Sequence, residues 1–439
     1  MIETPEHEPL PPPGPAEPIE LGGVPESLDR MMEFFREYGD TYRVTLPSRK
    51  TPAVVVHHPE DVKRVLITNS VNYTKGIGLD RVKILLGNGI MVSEGDHWKR
   101  QRRMLQPAFH RRALQHFEEL IRGYNGRHLE TWSEAAAKGE AIDVAEEMSR
   151  LALEIILRAI FSQDLDYLTR TMGVNPFSLV SEDSARNLEF AMKFRSLRKL
   201  VREIVENRRR EGREPHDFLS MVVGAEDEAT GERMSEREWL DETMTLIVAG
   251  HETTASSLTW AWYLLALNPD VEARLHEEVD SVLEPGEVPP FDRLKDLPYT
   301  DLVLKEALRM YPPGWLLTRR AVAEDHLGGF RIAPGTDVLV SPYVVHRHPS
   351  FWSDPEAFRP ERFTGEEERA RNRFIYFPFG LGPRRCIGEP MANFEMQVHL
   401  AATARRFRLV RDDDRPVEME AAINLRPKGE LRMRVENRG

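Results

Sequence analysis

The chain has 439 residues, of which 41% are hydrophobic and 30% charged, a composition ordinary for a folded globular protein. Its formal net charge of -12 argues against a nucleic-acid-binding protein, because phosphates require a basic surface. A single cysteine excludes an intramolecular disulfide and favours a reducing, cytoplasmic location.

Residues 1–26 are acidic and rich in proline, and we expect them to form a flexible or extended lead-in. They have neither the positive n-region nor the apolar h-region of a secretory signal. The longest apolar stretch, Ala255–Leu267, is shorter than the roughly 18 residues that suggest a membrane span, so no span is expected. No linker divides residues 27–439, which we predict to be one catalytic domain.

Short strands are predicted at Thr41–Leu46 and Ala53–His57 and, as a second pair, at Phe330–Ile332 and Asp337–Val340 around the turn that begins at Ala333. Most of the intervening sequence has the apolar periodicity of helices. The predicted fold class is therefore mainly α with a small β-rich part, in an α+β arrangement.

The best-marked helix runs from about Glu236 to Asn268. Ser235 and Glu238 form a capping box, and Pro269 ends the pattern. Apolar residues on most sides predict a buried helix, yet its middle reads Ala249-Gly-His-Glu-Thr-Thr254. A glycine and several polar groups in the middle of a buried helix depart from the apolar pattern expected there. Such a departure is typical of a functional site.

Common catalytic motifs do not account for this segment. His251-Glu252 begins a zinc-binding H-E-x-x-H pattern, but Ala255 stands where the second histidine is needed. No G-x-S-x-G hydrolase elbow, no dinucleotide-binding glycine motif and no phosphate-binding P-loop motif occurs in the sequence.

The only cysteine lies in Phe377–Pro390, which reads FPFGLGPRRCIGEP. Glycines allow tight turns before Cys386, and a helix is predicted from Gly388 to about Arg405. A helix N-terminus and the neighbouring Arg384 and Arg385 stabilise a thiolate, either as a nucleophile or as a metal ligand. The nearby sequence offers no histidine that would serve as base for a nucleophile.

Phe379-Gly-Leu-Gly-Pro-Arg-Arg-Cys-Ile-Gly388 resembles, position by position, the haem loop of the cytochrome P450 family. Four further segments, in the expected order, resemble other motifs of that family: Trp98-Lys-Arg-Gln-Arg102, Ala249–Thr254, Glu306-Ala-Leu-Arg309 and Pro360-Glu-Arg-Phe363. The resemblance covers about residue 30 to the end and implies a single domain with its long central helix over the haem.

The resemblance implies haem b, with Cys386 as the axial thiolate and metal ligand. Arg384, Arg102 and Arg319 would hold the propionates, with Arg319 preferred to Arg320. The other expected cofactor-binding residues are Trp98, Phe379, Gly380 and Gly388.

In the central helix, the resemblance assigns oxygen activation to Ala249, Gly250, Glu252 and Thr253. Glu252 would relay protons and Thr253 would hydrogen-bond the bound oxygen, while Gly250 would leave room for dioxygen and open a local kink. A helical Thr that bonds back to a carbonyl is the ordinary alternative. Glu306, Arg309 and Arg362 would form a structural charge cluster.

Substrate contacts are implied at Trp315, Leu316 and Leu317, with core packing as an equally good explanation for each. The segments Asn72–Ile90 and Ala422–Leu425 also fall where the family places such contacts. The roof segment, from about Gln163 to Arg195, falls where the family places the helices above the substrate, and it is short for the family. The resemblance therefore does not decide whether the pocket closes.

The implied activity is a monooxygenase that inserts one atom of O2 into a hydrophobic fatty acid, terpenoid, steroid or polyketide-like molecule. Electrons would come from NAD(P)H through a separate ferredoxin and its reductase, or a flavodoxin. A basic patch for an acidic ferredoxin is possible at Lys99, Arg100, Arg103 and Arg385, with a solvated helix face as the alternative. A peroxide-using or isomerising haem-thiolate enzyme and a non-catalytic haem sensor are the competing functions.

Overall fold

The computed structural model describes residues 11–21, 26–47, 49, 51–179 and 188–438. Its helices are α1 (Ser27–Tyr38), α2 (Pro59–Lys63), α3 (Leu79–Leu86), α4 (Gly95–Leu105), α5 (Arg111–Leu114), α6 (Glu118–Lys138), α7 (Val144–Phe161), α8 (Asp164–Met172), α9 (Leu188–Glu211), α10 (Phe218–Gly224), α11 (Glu236–Leu267), α12 (Pro269–Val282), α13 (Pro298–Met310), α14 (Pro342–Val345), α15 (Gly365–Ala370) and α16 (Glu389–Arg406). A π-helical turn, Arg64–Thr68, and 3-10 turns at Ser70–Asn72, Gln106–Phe109, Gln115–Phe117, Phe291–Asp296, Pro360–Phe363 and Gly382–Arg384 connect them.

The strands are β1 (Thr41–Val44), β2 (Ala53–Val56), β3 (Tyr73–Lys75), β4 (Ala141–Asp143), β5 (Leu317–Ala321), β6 (Asp325–Leu327), β7 (Phe330–Ile332), β8 (Asp337–Val340), β9 (Phe407–Arg411), β10 (Met419–Ala421), β11 (Leu425–Pro427) and β12 (Arg432–Asn437). One sheet has the order β1-β2-β8-β5-β3, and β2 and β8 are its parallel pair. The smaller sheets are β4-β12-β9, β10-β11 and β6-β7. The prediction of a mainly helical α+β protein is confirmed.

The long helix is α11, and its predicted start is confirmed. The Ser235 hydroxyl accepts from the Glu238 N–H at 3.4 Å, and the Glu238 carboxylate accepts from the Ser235 N–H at 2.7 Å. At the other end, Pro269 begins α12. Helix α11 packs most extensively against α7, and most of its residues from Trp239 to Leu265 are buried.

The predicted strands β7 and β8 have the expected bounds, but their expected pairing with each other is wrong. β7 pairs with β6, whereas β8 lies between β2 and β5. All four residues of β8 are buried, so the strand needs a partner on each side. The turn between the two strands binds β5 instead, since the Gly335 N–H donates to the Ala321 carbonyl at 2.8 Å.

Within the segment expected to be flexible or extended, residues 11–21 pack along β1. The Arg43 N–H donates to the Pro13 carbonyl at 2.8 Å, the Ile19 N–H donates to the Thr45 carbonyl at 2.9 Å, and the Ile19 side chain is buried. These contacts order the stretch because they satisfy the free edge of the strand. Residues 1–10 and 22–25 of the predicted lead-in lie outside the described residues.

The predicted roof segment contains α8 and the beginning of α9, but residues 180–187 lie outside the described residues. Its shortness therefore stays a prediction. Among the helices that the structure describes, none is both long enough and apolar enough to cross a lipid bilayer.

Candidate functional site

The loop before Cys386 turns on two glycines with left-handed backbone conformation. Gly380 has a φ of 73° and Gly382 a φ of 68°, values that side chains disfavour. A Cβ on Gly382 would also lie 2.0 Å from the carbonyl oxygen of Leu66, in the π-helical turn. The loop closes where the Cys386 N–H donates to the Phe379 carbonyl at 2.8 Å. Cys386 is thereby fixed just before α16.

The surroundings of the Cys386 sulfur have opposing effects on its ionisation. Its side chain is accessible to water, yet surrounding protein atoms desolvate it, and this burial raises the pKa of the thiol. The N–H groups of Gly388 and Glu389 and the charge of Arg102 act in the opposite direction. Backbone N–H donors stabilise a thiolate, and a bound metal cation adds the positive charge that this sulfur lacks. The thiol therefore loses its proton readily when a cation binds it.

Three cations gather beside this loop: Lys75 on β3, Arg319 on β5 and Arg384 in the loop itself. Burial, with the charges of Arg319 and Arg384, lowers the pKa of Lys75 to about 7. Burial and the charge of Arg384 lower the pKa of Arg319 to about 10. Glu94 supplies the opposing charge for all three, so the cluster has a surplus of positive charge.

The partners of these cations are few. The Arg384 guanidinium donates to the Ser93 carbonyl at 2.7 Å, forms an ion pair with Glu94, and stacks 3.9 Å from the Trp98 ring centre. Within the described residues, the one side-chain hydrogen bond of the buried Arg319 is to the Thr318 carbonyl, at 2.9 Å.

The geometry favours Arg319 over its neighbour as a propionate ligand. Arg320 forms a bidentate pair with Asp337 at 3.0 and 3.1 Å and is therefore engaged. Arg102 donates to the Arg385 carbonyl at 2.9 Å, and its charge acts on Cys386. Its expected contact with a propionate stays a prediction. Sequence reasoning did not single out Lys75, which lies opposite Arg319.

Glu306, Arg309 and Arg362 form one fully buried network. The Glu306 carboxylate accepts from the Arg309 side chain at 2.7 and 2.9 Å and from the Arg362 side chain at 2.8 Å. The remaining guanidinium donors bind loop carbonyls, including those of Ser353 and Ala357. This network fixes the loop from Trp352 to Phe363 against α13.

His346, another residue that sequence reasoning left without a role, connects this network to the cysteine loop. Its Nε2 accepts from the Phe377 N–H at 2.9 Å, and Nδ1 lies 3.2 Å from the Arg309 carbonyl. Since Nε2 accepts, the hydrogen of the neutral ring is on Nδ1 and donates to that carbonyl. Burial lowers the pKa of His346 to about 3, so the ring is neutral.

Gly250 lies where α7 and α11 approach each other closely. A Cβ at this position would lie 2.7 Å from Cδ1 and Cγ1 of Ile156 on α7. Helix α11 is continuous through Ala249–Thr254. The absence of a side chain therefore allows the two helices to pack closely. That Gly250 leaves room for dioxygen and opens a local kink stays a prediction.

The polar groups of this segment are hydrogen-bonded in different directions. The Thr253 hydroxyl donates to the Ala249 carbonyl at 2.9 Å, the back-bond that was the ordinary alternative. Its lone pairs remain able to accept. Glu252 accepts from the Asn424 side chain at 2.9 Å, and His251 is 2.9 Å from the Ser149 hydroxyl, on α7.

Comparison with known proteins places these features in a family. The family model described as Cytochrome P450 matches residues 12–433. The chain belongs to the cytochrome P450 family.

Relatives and structures agree with this assignment. Cyclooctatin synthase of Streptomyces melanosporofaciens is 37% identical over 85% of this chain and 83% of its own. Cyclooctat-9-en-7-ol 5-monooxygenase of the same organism is 35% identical over the same shares. The crystal structure of the cytochrome P450DA heme domain superposes with a TM-score of 0.87 at 25% identity, covering 99% of this chain and 98% of that one. The protein is thus a cytochrome P450 monooxygenase.

The residues present fit a haem of this family. The exposed thiol of Cys386 would supply one ligand, and cations with spare donors suit two carboxylate side chains. Lys75, Arg319 and Arg384 would hold the propionates, and Phe379 packs behind the cysteine against the main core.

Of the expected P450 substrate contacts, Trp315 is held in the core. It is 3% exposed, its indole N–H donates to the Ala422 carbonyl at 2.9 Å, and its own carbonyl accepts from the Ser341 hydroxyl at 2.8 Å. Core packing therefore accounts for Trp315. Leu316 and Leu317 are half-buried at the edges of two apolar clusters.

The expected basic patch is neutralised by neighbouring carboxylates. Each of its four cations forms an ion pair: Lys99 with Asp96, Arg100 with Glu238, Arg103 with Asp227 and Arg385 with Glu389. Paired exposed charges are typical of a solvated surface, so the patch gives little support to docking of an acidic protein.

Proposed function

We propose that this P450 hydroxylates a carbocyclic, terpenoid-like molecule at a haem b whose axial ligand is Cys386. The sulfur carries the cofactor part of the proposal, because its side chain is exposed while backbone N–H groups of Gly388 and Glu389 form hydrogen bonds to it. When bound, the haem would supply the activation of dioxygen.

The substrate class follows from the relatives. One of them acts, by its name, on cyclooctat-9-en-7-ol, a cyclic alkene alcohol. Among the classes that the sequence leaves open, a terpenoid best matches such a compact, ring-containing molecule. Apolar residues at the site would exclude water, and a few polar groups would orient the substrate.

In the proposed mechanism, the protein holds the cofactor and moves protons. Lys75, Arg319 and Arg384 would neutralise the propionates, while α16 orients Cys386. Glu252 would carry a proton from solvent, and the Thr253 hydroxyl would accept it and donate a hydrogen bond into the site. Electrons would come from NAD(P)H through a separate ferredoxin and reductase, or a flavodoxin, in the cytoplasm.

The proposal is tested with the haem-loaded protein, a surrogate ferredoxin and its reductase, NADPH and isotopically labelled O2. Cedrol, a tricyclic terpenoid alcohol, is compared with lauric acid. We expect cedrol to shift the Soret band and to gain one labelled oxygen atom. A Cys386→Ser variant should lose the spectrum of a thiolate-ligated haem. Oxidation of lauric acid alone would refute the substrate class, and turnover that requires only added peroxide would favour the peroxide-using alternative.

A further inference from the structure

The hairpin formed by β10 and β11 contacts the proposed proton relay through the Asn424 side chain. Ala421 pairs with Leu425, so residues 422–424 form a short tip. Asn424, at this tip, donates its side-chain N–H to Glu252 on α11 at 2.9 Å. The two residues are 172 positions apart, so the contact depends on how the hairpin is placed on the helix.

The tip has little freedom to move away. The Leu425 N–H donates to the Pro313 carbonyl at 3.0 Å, and the Trp315 indole donates to the Ala422 carbonyl at 2.9 Å. The Leu425 carbonyl accepts from two α11 side chains, Ser256 at 2.5 Å and Trp260 at 3.2 Å. Asn424 is therefore presented to the helix from a rigid support.

The chemistry of the contact is directional. The NH2 side of the Asn424 amide faces Glu252, so Asn424 donates and the carboxyl oxygen accepts. Glu252 has several rotatable bonds, and a hydrogen bond to a rigid donor selects among its rotamers. Thr253 is the next residue in the helix, so the rotamer of Glu252 decides where its proton is held relative to that hydroxyl.

We propose that Asn424 is a positioning residue for Glu252: its side-chain amide holds the carboxylate in the orientation from which a proton is passed toward Thr253. This inference rests on the proposed role of Glu252. It assigns to the hairpin a part in proton delivery in addition to any contact with substrate.

The test compares three variants of the haem-loaded protein. Asn424→Leu removes the amide at nearly constant volume, and Asn424→Gln keeps an amide on a longer side chain. Ser256→Ala is the matched control, because it removes one of the two α11 hydrogen bonds to the Leu425 carbonyl, keeps the one from Trp260, and leaves the Asn424 side chain unchanged.

The first measurement is independent of turnover. The infrared carboxylate band of Glu252 in the resting protein is assigned by subtracting the spectrum of Glu252→Gln. Asn424→Leu should shift this band, Asn424→Gln should shift it less, and Ser256→Ala should leave it in place. An unchanged band in Asn424→Leu, or an equal shift in Ser256→Ala, would overturn the positioning role.

The second measurement is the ratio of cedrol product to NADPH oxidised. Misplacing a proton-transfer group should lower this ratio about tenfold in Asn424→Leu, with peroxide released instead and the affinity for cedrol unchanged. The effect should vanish when Glu252 is already Gln. If Glu252→Gln keeps the wild-type ratio, the relay itself fails, and with it the catalytic part of this inference. If wild-type protein does not oxidise cedrol, the substrate proposal fails and the infrared band alone decides.

Discussion

Lys75 lies directly opposite Arg319 in the antiparallel ladder between β3 and β5. Like charges at opposed positions destabilise a sheet, so the pair needs a compensating anion. Arg384 adds a third positive charge from the cysteine loop. The edge of the sheet therefore carries a surplus of positive charge, which the haem propionates would neutralise.

The first prediction is that Lys75→Met loosens haem binding without unfolding the protein. Removing one cation should speed transfer of haem to apomyoglobin about tenfold, equivalent to about 1.4 kcal/mol. Absorbance spectroscopy follows the transfer. Lys99→Met is the matched control, because its exposed ammonium pairs with Asp96 at 2.9 Å, away from the cluster. Equal rates in the two variants would remove Lys75 from the cofactor site.

The second prediction concerns pH and His346. The pKa of its buried ring is lowered to about 3, so at mildly acidic pH the unfolded chain binds a proton that the folded protein does not. The free energy of unfolding should therefore fall as the pH drops below about 6.5, by up to about 1.4 kcal/mol per pH unit from this residue.

His346→Gln isolates this effect, since an amide can accept from the Phe377 N–H and donate to the Arg309 carbonyl without titrating. Urea unfolding at several pH values should give a slope that is smaller by about one proton than in the wild type. An unchanged slope would mean that the ring is already protonated in the folded protein.

Local signals predicted the parts of the fold that local chemistry decides. The capping box at Ser235 and the proline at position 269 gave the ends of α11, and the glycines and arginines around Cys386 marked the cysteine loop. Pairing between distant segments could not be read in this way. β8 has the predicted bounds, yet burial on both sides decides its neighbours.

The same limit applies to the site. Lys75 lies in a short strand with no motif around it, and only its pairing with β5 places it beside Arg319. Asn424 likewise acquires a role only because a hairpin tip rests on α11. Gly250 was recognised as unusual from the sequence. The close approach of Ile156 to this glycine is a contact between two helices, which the local sequence does not show.

The third prediction is that Glu306→Gln strongly destabilises the protein. The substitution leaves the buried Arg309 and Arg362 without a counter-charge, which should cost about 3–5 kcal/mol of unfolding free energy. Urea unfolding measures the change. Glu367→Gln, which disrupts an exposed pair with Arg359, should cost no more than about 1 kcal/mol. Similar losses in both variants would contradict a structural role for the buried cluster.

The last prediction separates the hydroxyl of Thr253 from its shape. Thr253→Val keeps the branched side chain but removes the group that donates to the Ala249 carbonyl, whereas Thr253→Ser keeps the hydroxyl. Because that carbonyl is already within a helix, the valine variant should lose no more than about 1 kcal/mol of stability.

Its catalytic effect should be much larger. Without the hydroxyl, proton delivery fails and reducing equivalents should leave as peroxide, so that product per NADPH falls about tenfold in Thr253→Val and little in Thr253→Ser. Peroxide and product are measured together, with the Soret shift as a check that cedrol binds both variants equally. Wild-type coupling in Thr253→Val would leave only the back-bond to Ala249, and Thr253 would then be an ordinary helical threonine.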